Sequence, residues 1–427
     1  MTPPAEATLP RLLLGSPPHG QMSLAEHLAV HGPAPRPRRS AAPGLIDVVA
    51  RAGLRGRGGA GFPTARKLEA VRAGRRSAVV VANGCEGEPA SAKDRLLLSA
   101  LPHLVIDGAV LCAGAVGAGE VIVAAGERHA RAAVERALAE RGGTDRVAIR
   151  VVQVPDGFVS GEETALLQFL GGGPAVPTFV PPRPFERGLD RRPTLVQNVE
   201  TLAHVALIAR HGPDWFRSIG TPEDPGSALA TLSGAVAAPG VYEIPSDAGL
   251  GALLDAAGGP TGPPRAVRVG GDFGSWVDAR AIGDDLRLDP ASLRRFGAQR
   301  GAGVVAVLPD SACGPAETAR VLAYLASQSA RQCGPCVNGL PAIAGMVGRL
   351  VAGTAPPDAG DHLRRWTTLL PGRGACHLPD GVVRFATSAL SVFAAEFADH
   401  HRHGPCRACA ARTLVLPPAP RPEEVPA

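Results

Sequence analysis

Charge is scarce in this chain, and lysine is nearly missing. Charged residues make up 19% of 427 positions, with a net charge of +5. That small excess is spread along the chain, which gives no positive case for nucleic acid. No basic segment followed by a long apolar run opens the sequence, so no export signal is expected. Long apolar runs are missing too. The longest, residues 96–119, is broken by His103 and Asp107 and reads as a buried helix rather than a membrane span. Of 44 basic residues, only Lys67 and Lys93 are lysine. Either a GC-rich coding background spared them by chance, or a compact ammonium is needed at those two places.

What is present is a globular composition. Hydrophobic residues reach 45%, and the length allows two or three domains. Eight cysteines without an export signal point to metal or redox chemistry rather than disulfides. Cys112 lies on the apolar run and reads as core packing.

Residues 1–40, rich in Pro, Arg and His, predict a loose arm with one short helix at 24–30. Helices are expected at 45–52, 96–100, 103–116 and 128–141, and strands at 77–82, 120–125 and 146–154. This alternation indicates a parallel sheet with helical crossovers. Ligands of such sheets sit beyond the strand C-terminal ends, which puts NGCEGEP, residues 83–89, on the functional edge. Residues 161–169 read as a capped helix, 171–193 as a Pro-rich loop, and 196–210 as a helix. A composition shift at 221–226 opens a small α+β region with strand signals in ALATLSG, GVYEI and AVRVGG and a helix at 249–257. Helical patterning returns from 317 to about 400, before a Pro- and Arg-rich tail, 401–427, with a Cys pair.

The stretch 53–67, GLRGRGGAGFPTARK, carries four glycines between Gly56 and Gly61. Backbone N–H groups of such a loop can close on an anion, and a helix starting after it aims its positive end the same way. The letters spell G-x-G-x-x-G, but the run before them reads helical, so a standard dinucleotide fingerprint is not expected. A flexible linker is the alternative. Alone, Asn83, Glu86 and Glu88 form a polar turn, and Glu162 and Glu163 favour a helix start. Together with the loop, Lys67 and the amides Gln197 and Asn198, they suit a nucleotide-like ligand. Backbone and Lys67 would hold phosphate, amides a ring edge, and carboxylates ribose hydroxyls. Phe62 is a stacking or a core residue.

Four motifs in order, GLRGRGGAGFPT, NGCEGEPASAKDRLLL, SGEETALL and PTLVQNVETL, resemble the flavoprotein subunit of respiratory NADH:quinone oxidoreductase. Related β-type subunits occur in NAD-linked hydrogenases and formate dehydrogenases. The resemblance runs from about residue 45 to 400. It implies an α/β Rossmann-like FMN/NADH domain (41–220), a small β-grasp, soluble-ligand-binding domain (221–308) matching GSALATLSGAVAAPGVYEIP, and a helical iron–sulfur domain (309–400). It implies hydride transfer from NADH to FMN, a [4Fe–4S] cluster, and a ferredoxin-like iron–sulfur partner subunit. The location implied is cytoplasmic, on the periphery of a membrane complex. By position, Gly56, Arg57, Gly58 and Lys67 would contact FMN phosphate and ribityl. Asn83, Glu86, Gly161, Glu162, Glu163, Gln197, Asn198 and Thr201 would line the flavin, with Glu86 the catalytic-site carboxylate. Phe62 and Glu88 would face NADH.

Three departures stand out. Cys85 replaces an acid near the reactive part of the flavin, and Gln197 replaces an asparagine. The third concerns the family cluster motif C-x2-C-x2-C, whose fourth cysteine follows about forty residues later. Cys333, Cys336 and Cys376 match three ligands, but Ala330 stands at the first. Cys406 or Cys409, or else Cys313, could supply the missing ligand. A non-cysteine ligand could do so, or the cluster is lost. Two C-x2-C pairs also admit zinc, though Cys376 argues against it. We favour a retained cluster, with Cys333, Cys336, Cys376, Cys406 and Cys409 as metal ligands. The His-rich run DHHRHGPC reads as a solvated helix end rather than a metal site. Two rivals remain: a non-catalytic assembly module of the same fold, and an FMN/NADH protein without a cluster.

Overall fold

The computed structural model describes residues 9–35, 44–74, 76–281 and 286–410. Its first unit is a four-stranded parallel sheet, ordered β3-β2-β1-β4. The strands are β1 (Ala78–Gly84), β2 (Ala118–Ala125), β3 (Ala148–Gln153) and β4 (Thr194–Asn198). Alternation within β1 explains the layering. Val79 and Val81 join one core beside Leu166 and Val196, while Val80 and Ala82 join a larger core with Leu104 and Leu202. Burying each such Val contributes roughly 1.5 kcal/mol or more, so both faces of this strand are committed.

The sequence pattern assigns the end of β4 to the following helix, and the fold corrects this. The β-branched and apolar run TLV pairs in parallel with β1, and Asn198 then caps the helix Val199–His211. The strand order reverses between β1 and β4. That crevice is where open α/β sheets place ligands.

The second unit has five strands, β5 (Ser227–Gly234), β6 (Gly240–Pro245), β7 (Pro264–Val269), β8 (Ser275–Asp278) and β9 (Val304–Pro309), ordered β6-β5-β9-β7-β8. Its first and last strands are central and parallel, and the helix Leu250–Ala256 packs into their core. This is a β-grasp arrangement, as expected. β8 and the short helix Pro290–Arg295 carry too weak a pattern to be read from sequence.

Helices from Gly314 to His403 form the third unit. The run Pro335–Ala352 has the length and hydropathy of a membrane span. Its apolar side, with Leu340, Ile343, Val347 and Leu350, is however part of the core of this unit.

The described part of the N-terminal region is not loose. Leu12 is buried, and the Glu243 carboxylate accepts the backbone N–H groups of Arg11, Leu12 and Leu13 at 2.8–3.0 Å. His27, from the helix Leu24–His31, meets buried Asp107 at 2.9 Å. The Pro-rich stretch 171–193 holds a short helix, Pro184–Arg187, and a 3-10 turn, Leu189–Arg191. Cys112 is in the core. The tail beyond Ala410 lies outside the described residues.

Candidate functional site

The glycine loop is closed by its own backbone. Gly56 N–H donates to Phe62 O at 2.8 Å, and Thr64 N–H to Leu54 O at 3.0 Å. Gly59 and Gly61 sit at φ +109° and +61°, where a side chain would be strained. The helix Thr64–Arg72 then begins without a side-chain cap. The loop rests against the β4 side of the switch-point crevice. Arg57 N–H donates to Thr201 Oγ1 at 2.9 Å, and a Cβ on Gly58 would stand 3.2 Å from that of Asn198.

The two strand ends meet there. Asn83 and Asn198 are register partners, as are Ala82 and Gln197. Asn83 Nδ2 donates to Gly161 O at 2.8 Å, and its Oδ1 accepts from Cys85 N–H. Gly161 needs its lack of side chain, because a Cβ would lie 2.6 Å from Cys85 O. Glu162 caps the helix Glu163–Leu170, and Glu163 pairs with Lys67 at 2.7 Å. Glu86 is fully engaged as well. Its oxygens accept Ser91 Oγ–H at 2.5 Å and the N–H groups of Asp94 and Arg95 at 3.1 Å. Burial pushes the Cys85 thiol upward, with the Asp94 carboxylate adding to it, so the thiol is neutral.

Behind this edge lies an ionic network that the sequence conceals. Lys93 is buried and reaches Asp94 at 2.7 Å, Glu200 at 3.0 Å and Asn198 Oδ1 at 3.3 Å. Burial disfavours the ammonium, but the carboxylates of Asp94 and Glu200 outweigh it and raise its pKa. Burial alone would raise Glu200, but Lys93 and His204 bring it down to about 2. Glu200 also accepts Leu229 N–H at 2.9 Å, which ties the first unit to β5. One of the two lysines therefore holds the site's frame, and the other, Lys67, stands at its rim. Glu200 escapes sequence reasoning because an acid in the first turn of a helix is already accounted for by the helix dipole. Only its tertiary partners reveal it.

Two residues expected at the ligand turn toward the second unit. The Arg57 guanidinium is buried against Asp224 and Pro225 O, at 3.3 and 3.2 Å. The Glu88 carboxylate accepts Asp272 N–H at 2.8 Å, and burial with the neighbouring Asp272 carboxylate pushes its carboxyl up to about 8. Arg57, Lys93, Glu200 and Arg300 line a cavity of about 230 Å³ between the glycine loop and the β-grasp unit. Phe62 is half exposed, its ring 5.8 Å from the Arg66 guanidinium, so it is not a core residue.

The residues fit a bound flavin nucleotide on one further observation. Among the described residues, buried Gln197 Nε2 and Thr64 Oγ1 have no hydrogen-bond partner. An unpaired buried amide costs roughly 1–3 kcal/mol, which a ligand acceptor would recover.

Six thiols lie in the third unit, in two groups. Cys333 and Cys336 flank the start of a π-turn, Pro335–Gly339, a local irregularity frequent at functional sites. Burial pushes the Cys336 thiol up, with neighbouring Cys333 adding to it and Ser329 and the Ala330 backbone opposing it. Burial pushes Cys376 up to about 11, with Cys336, Glu162 and Cys333 adding to the effect. This group therefore faces the Glu162 loop. Its soft donors fit iron, with Ala330 contributing only a methyl group.

Cys406 and Cys409 are placed elsewhere. They gather with Cys313 and His400, all four ligand atoms within 4.8 Å of one another. A fourth cluster ligand from the C-terminal pair is therefore not what the fold brings together. Nor is the His-rich run simply a solvated helix end, since His400 is buried.

Residues 49–207 match the Nuo51 FMN-binding domain, 229–272 the SLBB domain, and 316–400 the NADH-ubiquinone oxidoreductase-F iron-sulfur binding region. The chain is 33% identical over 378 residues to the second F subunit of the NADH-quinone oxidoreductase of Rhizobium meliloti, covering 85% of this chain and 90% of that one. It belongs to the family of NADH-quinone oxidoreductase F subunits. The F subunit of Mycobacterium tuberculosis is 33% identical over 390 residues, covering 85% of each chain. Among solved structures, NAD+-reducing [NiFe]-hydrogenase in the air-oxidized state matches with a TM-score of 0.75 and 32% identity. That match covers 85% of this chain and 62% of the hydrogenase chain, so the family member described here spans less than two thirds of that chain. The FMN-binding match of the family covers the glycine loop and both strand ends of the crevice. Its iron-sulfur match covers Cys333, Cys336 and Cys376 but ends before Cys406.

Proposed function

We propose that this chain oxidises NADH at a bound FMN and passes electrons to a ferredoxin-type iron–sulfur partner, in the cytoplasm at the edge of a larger complex. The observation that carries this reading is the switch-point crevice. Register-paired Asn83 and Asn198 line it, and the glycine loop rests against Thr201 and Asn198. FMN, when bound, supplies acceptance of a hydride and release of single electrons. The loop backbone at Gly56 and Gly58, with Lys67, would hold its phosphate and ribityl chain. Asn83, Gly161, Glu162, Glu163, Gln197, Asn198 and Thr201 would surround the rest, and the free Gln197 amide would meet a ring acceptor. Phe62, at the exposed rim, would stack on the nicotinamide nucleotide. Glu86 acts through the loop it holds, since both of its oxygens are occupied by Ser91, Asp94 and Arg95.

Cys333, Cys336 and Cys376 would hold the iron–sulfur cluster, with Ser329 or solvent at the position that Ala330 vacates. Anaerobic purification with flavin, iron and sulfide quantified together tests the reading. A yellow protein that bleaches with NADH and carries iron and sulfide is expected. A colourless chain that binds neither FMN nor NADH after reconstitution would instead make it an assembly module. Flavin without iron would remove the cluster alone.

A further inference from the structure

We propose that Cys313, His400, Cys406 and Cys409 form a mononuclear tetrahedral zinc site, separate from the iron–sulfur thiols. The spacing is the first argument. Cys409 Sγ lies 3.6 Å from Cys313 Sγ and 3.7 Å from Cys406 Sγ. His400 Nε2 lies 3.5 Å from Cys313 Sγ and 3.9 Å from Cys409 Sγ. A tetrahedron with Zn–S bonds of about 2.3 Å and Zn–N bonds of about 2.0 Å has ligand–ligand edges of roughly 3.5–3.8 Å. Four of the six edges stand at 3.5–3.9 Å, and the remaining two, from Cys406 to Cys313 and to His400, lie within 4.8 Å. A cubane cluster needs wider spacing, because each thiolate binds a different iron. A disulfide needs sulfurs at about 2.05 Å, far closer than any pair here.

The surroundings of the imidazole are the second argument, independent of the first. His400 Nδ1 faces Val351 O at 3.2 Å. With Nδ1–H donated to that carbonyl, Nε2 is left as the acceptor, 3.5 Å from Cys313 Sγ, while Cys409 Sγ lies 3.9 Å from Nε2 and 4.0 Å from Nδ1. This is the arrangement by which a backbone carbonyl orients a metal-binding histidine. His400 is buried, whereas His401 is half-buried and His403 exposed, so the fold has selected one of the three.

The sequence supplies the ligands from three elements. Cys313 caps the helix Gly314–Ser327 and accepts Ala316 N–H at 3.4 Å. His400 is on the last helix, Ala394–His403, and the Cys pair is at the 3-10 turn Arg407–Ala410 that follows. Arg320 donates to Cys409 O at 2.8 Å and fixes that turn. Zinc would therefore fasten the C-terminal turn to two helices of the third unit. On binding, the thiols release their protons to solvent and the zinc is not itself oxidised or reduced. The site explains why a chain lacking one cluster cysteine still carries a distal Cys pair: the pair has its own metal.

Metal analysis of the purified full chain tests this. About one zinc per chain is expected, and Cys409→Ser or His400→Gln should lower it to less than about a fifth of that, with flavin and iron unchanged. X-ray absorption at the zinc edge of the unaltered protein should show three sulfurs and one nitrogen, a readout that does not depend on any variant folding. Zinc-free protein with a Cys406–Cys409 disulfide would overturn the proposal. So would variants that lose iron and keep zinc, which would return these thiols to the cluster. None of these readouts depends on NADH oxidation, so failure here is distinguishable from failure of the flavin reading.

Discussion

The two polar interiors of this molecule differ in what completes them. Behind the crevice, Lys93, Asp94, Glu200 and Asn198 satisfy one another without any ligand. In the helical unit, six thiols and a buried imidazole gather as soft metal-ligating donors. The first interior is paired charge: against burial, Lys93 draws Glu200 down to about 2, while burial still leaves Asp94 up at about 6. The second is soft neutral donors, which gain their full stabilisation only from a metal. A fold can therefore preset the place for an organic cofactor with ions. A cluster site it can only leave poised.

The largest test of this contrast is Lys93→Met. It leaves Asp94 and Glu200 buried without their cation, and the metal-free chain should lose about 3–5 kcal/mol in chemical denaturation. A loss below about 1 kcal/mol would mean that the network is not self-completing. Next comes the joint between units. Glu88 is held at about 8 against an ordinary 4.5, so between those pH values the folded chain binds more protons than the unfolded one. Its contribution is present below pH 4.5 and is lost as pH rises through 8. Stability should fall across that window by on the order of 3–5 kcal/mol, and Glu88→Gln should flatten most of the slope in melts taken at several pH values.

On the thiol side, effects on the bare fold should be smaller and effects on metal larger. Cys336→Ser should cost the metal-free chain about 1 kcal/mol, while bound iron drops severalfold and zinc does not. Equal loss of both metals would erase the distinction between the two thiol groups. The smallest expected change in stability is that of Ala330→Cys, within about 0.5 kcal/mol. It should slow the release of iron to a chelator, and unchanged release would show that a fourth thiol at this position is not reached by the cluster.

Much of the crevice is readable in the sequence for a local reason. A glycine loop, a strand followed by Asn83, and acids at a helix start each carry their signal within a few residues. The QN pair is harder, because TLV fits a strand or a helix equally well until β1 is beside it. Arg57 and Glu88 read as ligand contacts, and nothing nearby in sequence points to Asp224 or Asp272, 167 and 184 residues away. The Cys pair reads as a source of the missing cluster ligand, with zinc as the alternative that its C-x2-C spacing admits. Its partner Cys313 lies 96 residues from Cys409, a separation at which spacing carries no information.

By itself, then, the sequence determined the order of units, the strands that alternate or run apolar, the glycine loop, and the absence of a thiol at Ala330. These are properties of neighbouring residues and of composition. Only the tertiary structure decided which lysine is buried, that β4 completes the crevice, and that six thiols divide into two groups. Those depend on which distant side chains come within a few ångströms. Desolvation and coordination act at that range, whatever the distance along the chain.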